Sequence, residues 1–127
     1  MSQSRAFKIG AATYNAAQAP ADQQKRLLLL VGGLISINAA SSETVNLDNS
    51  FIVGALMRVP ESIFDEIAGI VLQRVTIAGG NIPVSVKDFQ GSILQYFQLI
   101  AELVRWNLED FFGWLVSEKP AGEQASN

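Results

Sequence analysis

A chain of 127 residues holds one domain's worth of core, and its 49% hydrophobic and 17% charged residues combine an ordinary apolar content with sparse charge. Net charge is -3 and the isoelectric point about 4.8, with no basic cluster beyond Lys25-Arg26, so neither nucleic acid nor an anionic membrane is an expected partner. The chain has no cysteine and no histidine, which excludes disulfide frameworks, thiol nucleophiles, most zinc and haem ligation, and Ser-His or Cys-His catalysis.

The opening "MSQSRAFKIG" lacks the apolar core of a signal peptide. The most apolar run, Leu27 to Ile37, is about half of the roughly 20 residues a spanning helix needs. A cytoplasmic protein is expected. Phe7, Ile9, Thr13 and Tyr14 flank Gly10 with the alternation of a short β-hairpin over residues 6–16, which must lean on something else to be stable. Pro20 and Asp22 then mark a helix start. Leu27, Leu28, Leu30, Val31, Leu34, Ile35 and Asn38 continue its broad apolar face to about Ala40. Gly32-Gly33 inside it reads either as close packing against a neighbouring helix or as a ligand site.

"SSETVNLDNS" reads as a loop, with Ser50 or Asn49 as the cap of a short helix through "FIVGALMRV" that Pro60 ends. Glu61, Asp65 and Glu66 place negative charge in the first turns of the next helix. Its apolar positions are Ile63, Phe64, Ile67, Ile70, Val71 and Val75, and Gly79-Gly80-Asn81 stops it. An extended connector passes Pro83. From Asp88, a candidate N-cap, a helical pattern runs to about Ser117, roughly 45 Å if unbroken. Asn107 is the expected interruption, where it caps a last helix with Asp110 in the manner of a capping box. Residues 118–127 are Pro/Gly/Ser/Glu-rich and read as a disordered polar tail. The fold class expected is mainly α: one small helical domain of about four to five helices over residues 20–117, preceded by the hairpin.

Projected at about 100° per residue, Phe89, Ile93, Tyr96, Phe97, Ile100, Leu103, Val104, Leu108, Phe111, Trp114 and Leu115 form one broad core side. A thin solvated line of Gln95, Gln98, Glu102, Arg105 and Glu109 lies opposite. Leu99 and Trp106 sit on one flank between them, Leu94 and Phe112 on the other. These flanks need cover from the rest of the fold or from another molecule. Trp106 lies farthest from the centre of the core side, and tryptophan on a rim is enriched at binding hot spots. Phe111 and Trp114 are thus expected in the core, with Trp106 and Phe112 as the spare aromatics.

No phosphate loop, dinucleotide fingerprint, nucleophile elbow or zinc-protease motif occurs. Asp65-Glu66 and Glu109-Asp110 join sequence neighbours, which diverge by about 100° on a helix and do not converge on a substrate. "NLDNS" lacks the dense spacing of a calcium loop. No enzyme, cofactor or metal site is expected.

Three stretches carry a resemblance. "AFKIGAATYNAAQAPADQQKRLLLLV" resembles the opening of the small tail assembly chaperones of long-tailed, siphovirus-like bacteriophages: strand, turn, second strand with Tyr, then a Gln- and Leu-rich helix. "FIVGALMRVPESIFDEIAGIVLQRV" and the following "PVSVKDFQG" are similar to their middle section, and "LIAELVRWNLEDFFGWL" to their closing one. The likeness spans roughly residues 6 to 116 and consists of element order and aromatic placement. It implies a protein that binds the tape measure protein, a long, helical and apolar chain, in the cytoplasm of the bacterial host. Such a protein keeps its client soluble, helps recruit the tail tube protein, self-associates, and is absent from the finished virion. The closing segment maps to Trp106, Asn107, Leu108, Phe111 and Phe112, which with Leu94 and Leu99 form the expected partner-binding set. Such phages often also make a frameshifted longer form.

The competing reading is a small phage-encoded inhibitor of a host enzyme or defence complex, which shares the size, acidity and lack of catalytic residues. A minor tail component is a third, opposed by the few expected strands. The neighbouring gene separates the first two, since a chaperone gene lies directly upstream of one encoding an exceptionally long helical protein.

Overall fold

The computed structural model describes residues 4–40, 48–78, 80 and 82–115. The segment 118–127 expected as a polar tail lies outside the described residues, as does most of the loop before Asp48.

The chain begins with strands β1 (Ser4–Ile9) and β2 (Ala12–Ala17), an antiparallel hairpin slightly longer than the 6–16 expected. Gly10 turns it at φ 62°, a left-handed conformation that glycine adopts without a Cβ penalty. A Cβ at Gly10 would also fall 2.7 Å from the Gln95 side chain, so glycine serves both the turn and its close approach to the domain.

Helix α1 (Ala21–Ala40) follows Pro20, whose carbonyl accepts from the Gln23 and Gln24 N–H groups. Leu27, Val31 and Ile35 form its fully buried stripe. Helix α2 (Asn49–Leu56) is capped by Asp48, which accepts from the Phe51 N–H at 3.0 Å; neither Asn49 nor Ser50, the expected caps, does so. Asn49 instead donates to the Gln98 carbonyl at 3.1 Å and ties α2 to a later helix. Pro60 ends that turn and opens α3 (Glu61–Val71), with Phe64, Ile67, Ala68, Ile70 and Val71 inward.

Here the expected helix through Val75 is corrected. α3 ends at Val71, and Val75–Ile77 forms β3, antiparallel to β2 with Tyr14 opposite Ile77 and Ala16 opposite Val75. Val-Thr-Ile is β-branched throughout, suited to a strand, and an isolated hairpin needs a further strand to be stable. The hairpin thus becomes a three-stranded sheet, β1-β2-β3. The fold is mainly α, with this small sheet against the helices.

Asp88 does not start the long helix. It closes a capping box with Ser85 over a short 3-10 turn, Val86–Phe89, accepting from the Ser85 N–H at 2.9 Å. Gly91, at φ 84°, separates that turn from α4 (Ile93–Asn107). Leu108 ends α4, and a final helix, α5, covers 109–115. The C-terminal stretch is therefore interrupted where Asn107 was expected to interrupt it.

α4 is the axis of the domain. Leu99, Ile100, Ala101, Leu103 and Val104 are all fully buried, so apolar side chains surround its second half on several sides. A helix buried in this way needs cover from more than one layer, and α2, α3 and the hairpin supply it. Aromatic contacts connect the layers: Tyr14 stacks on Phe89 at 6.0 Å, Phe89 meets Tyr96 at 5.3 Å, and Phe64 stacks on Phe97 at 4.6 Å. On the surface, Arg26 of α1 bonds Glu66 of α3 at 2.6 Å.

Candidate functional site

The expected partner-binding set divides. Trp106 is 3% exposed and Phe112 4%, both covered by their own chain. Leu99, Asn107 and Leu108 are buried as well. The expectation that Trp106 and Phe112 are spare rings is thereby corrected. Trp106 packs edge-on against Phe7 of β1 at 5.3 Å, so the hairpin covers the flank that a helix projection leaves open. Phe112 meets Phe111 at 5.3 Å.

Trp114, expected in the core, is instead 54% exposed, and Phe111 is half-buried. The cause is the break at Leu108, which restarts the helical phase, so a projection carried through from residue 89 assigns the α5 rings to wrong sides. Leu94 alone of the set is plainly exposed.

Asn107 does not cap α5. Its Oδ1 accepts from the Ala19 N–H and its Nδ2 donates to the Leu103 carbonyl, each at 2.8 Å. Gln18 donates to the Trp106 carbonyl at 3.0 Å. The end of α4 is thus closed by the segment between β2 and α1, which takes up groups that a helix terminus leaves unpaired.

Surface depressions among the described residues include two that are largely apolar. The first, about 550 Å³, lies where α2 ends, α3 begins and α4 begins. Pro60 forces the chain to turn there, so Met57 and Val59 stand beside Phe64, Ile93 and Phe97. Met57 and Ile93 are exposed, and Val86 of the 3-10 turn adds a further apolar wall. Glu61 and Asp65, one helical turn apart on α3, are the acidic members of this lining. Tyr96 also borders it. Burial, and secondarily the Asp65 charge, raises its phenol above the ordinary tyrosine value, which keeps the hydroxyl neutral. No sequence motif marks this groove, because it joins three elements across two turns.

The second depression, about 600 Å³, is lined by Leu28, Leu29, Gly32, Gly33, Asp110, Phe111 and Trp114. Leu29 is 71% exposed. A Cβ on Gly33 would meet nothing within 4 Å, so close packing is not the reason for that glycine among the described residues. Gly32 is buried, and its Cβ would lie 4.0 Å from the Phe111 ring.

Among the described residues no three acidic side chains gather as a metal-binding group, and no helix is long and apolar enough to cross a membrane. The linings of both depressions are apolar side chains with carboxylates among them. No protein family, curated protein or solved structure matches the chain.

Proposed function

We propose that this protein is a tail assembly chaperone, which binds and solubilises an apolar helical segment of a tape measure protein, helps recruit the tail tube protein, self-associates, and leaves before the virion is complete. The element order and closing aromatics described above support this reading. The observation that carries it is the groove between α2, α3 and α4, open and apolar with Glu61 and Asp65 in its lining. An amphipathic helix can lay its apolar anchors in such a groove. Burying one or two aliphatic side chains there yields a few kcal/mol at about 25 cal/mol per Å². One contact is then weak and displaceable by tube subunits, while many copies along one long chain hold it by avidity.

The binding role thus moves away from Trp106 and Phe112 to Met57, Phe97, Ile93 and their neighbours. Co-expression tests it: the tape measure protein encoded beside this gene, insoluble alone, becomes soluble with wild type and loses that rescue with Met57→Lys/Ile93→Lys. A tape measure protein that stays insoluble beside folded wild type refutes the reading.

A further inference from the structure

Strand β1 is an outer strand of the sheet. The opposite edge, β3, is closed in part by the bridge between Thr76 and Pro83, and proline protects an edge because it offers no N–H. Among the described residues β1 has neither a proline nor a bridge on its outer side, and Lys8 is the one charged residue whose backbone groups lie along that edge.

The hairpin register shows which groups are free. Ile9 faces Ala12 across the two-residue turn, so Ile9, Phe7 and Arg5 are the residues that exchange hydrogen bonds with Ala12, Tyr14 and Ala16. The N–H and C=O groups of Ser4, Ala6 and Lys8 point the other way, along the sheet edge. No backbone group of the described residues takes them up.

We infer that β1 pairs antiparallel with β1 of a second copy, about a twofold axis at Ala6, to join two sheets into one. This builds on the self-association proposed above and names its surface. Self-complementarity selects the occupant. With the axis at Ala6, Ala6 faces Ala6 of the second copy and Ser4 faces Lys8, so all three outward residues of each strand are paired. About six backbone hydrogen bonds form. Arg5 falls opposite Phe7 of the second copy, and its guanidinium already lies 5.3 Å from the Phe7 ring of its own chain. Cross-strand contact of a cation with a ring is favourable.

Other registers are worse. An axis at Arg5 or at Lys8 sets like charges face to face, which destabilises a pair. An axis at Phe7 leaves Ser4 opposite the Gly10 turn. Lys8 thus acts as the main register selector, with Arg5, which lies 3.9 Å from Glu109 of its own chain, adding to it, and alanine at the axis leaves room for a close approach. The groove lining contains no β1 residue, so pairing does not occupy it.

The test uses the whole chain and no tape measure protein, so its failure leaves the groove reading standing. Sedimentation equilibrium of wild type is expected to show a reversible dimer. The chain has no cysteine, so Ala6→Cys introduces a single thiol. Opposed residues of a hydrogen-bonded pair lie about 5.5 Å apart at Cα, within disulfide range. Mild oxidation should convert Ala6→Cys to a covalent dimer much faster than Ser62→Cys on exposed α3. Ala6→Pro removes an N–H that β2 does not use, and should raise the dimer dissociation constant by about tenfold or more. If its circular dichroism shows loss of fold, Ala6→Lys supplies the same readout with the backbone intact, by placing two ammonium groups at the axis. Its loss of pairing should be relieved by salt. A wild type monomeric throughout the micromolar range, a dimer indifferent to Ala6→Lys, or equal cross-linking through Ser62→Cys overturns the inference.

Discussion

The Oδ1 of Asn107 accepts the Ala19 N–H at 2.8 Å, joining the last turn of α4 to the entrance of α1 across most of the chain. The same amide donates to the Leu103 carbonyl, also at 2.8 Å, so one buried side chain holds a helix end and a connector in register. Asn107→Ala leaves the Ala19 N–H without a partner in a dry place. A loss of roughly 2–3 kcal/mol is expected, read as a lowered urea midpoint at unchanged slope. A loss below about 0.5 kcal/mol would show that water replaces the amide freely.

The two tryptophans should separate spectroscopically. Trp114→Phe leaves only Trp106, with blue-shifted emission and protection from acrylamide; Trp106→Phe leaves the exposed indole of Trp114, red-shifted and readily quenched. Trp106→Ala removes the ring against Phe7 and should cost about 3–5 kcal/mol, the range for truncating a large buried aromatic. Trp114→Ala should stay within about 0.5 kcal/mol. Equal quenching in both single-tryptophan proteins would contradict the burial of Trp106.

Met57 and Ile93 are exposed beside the groove. Their joint replacement by lysine should therefore leave the unfolding midpoint nearly unchanged while removing rescue of the tape measure protein. Asp65→Asn should weaken the rescue less, and chiefly at low salt, because a border carboxylate acts through a screened field. Loss of fold in the double lysine variant would mean that these side chains support the core.

The alkaline limb of stability should depend on Tyr14 and Tyr96. Burial raises both phenols above 10.0, assisted by Asp88 for Tyr14 and by Asp65 for Tyr96. The folded chain then holds these protons where the unfolded chain has begun to release them. The resulting stability is fully present below pH 10 and is lost as pH climbs through the raised folded values. Melting curves from about pH 9 to about pH 12, a window that brackets the ordinary tyrosine value, should flatten for Tyr96→Phe. A wild-type melting temperature constant over this window would refute the linkage.

Gly10 tests the hairpin. Gly10→Ala forces a Cβ to φ 62° and to 2.7 Å from Gln95, and should cost at least about 1 kcal/mol. Gln95→Ala clears the collision but not the dihedral penalty. The double variant should therefore recover part of the loss, and additive losses in the cycle would show no contact between the two sites.

Much of this fold can be read from residue patterns because the signals are local. The pair around Gly10 marks the hairpin, Pro20 and Pro60 open helices, the amphipathic run from Glu61 defines α3, and the interruption near Asn107 falls where a polar residue breaks an apolar series. Each depends on backbone preference and side-chain period, which neighbours within a turn or two decide. The third strand was less legible, since Val75 continues the α3 period and also suits a strand; its pairing with Ala16 settled the matter through hydrogen bonds distant in sequence.

Which aromatics are covered was not a local question. A helix projection ranks positions around one axis and is blind to a hairpin laid along that axis, so it left Trp106 bare where Phe7 covers it. It also assumes one continuous phase, and the break at Leu108 turned Trp114 outward and Phe112 inward. The sequence alone determined the hairpin, most of the helices and the lack of histidine and cysteine chemistry. Tertiary packing decided which apolar faces stay open, because burial depends on the layers that meet a side chain and not only on its place along its own helix.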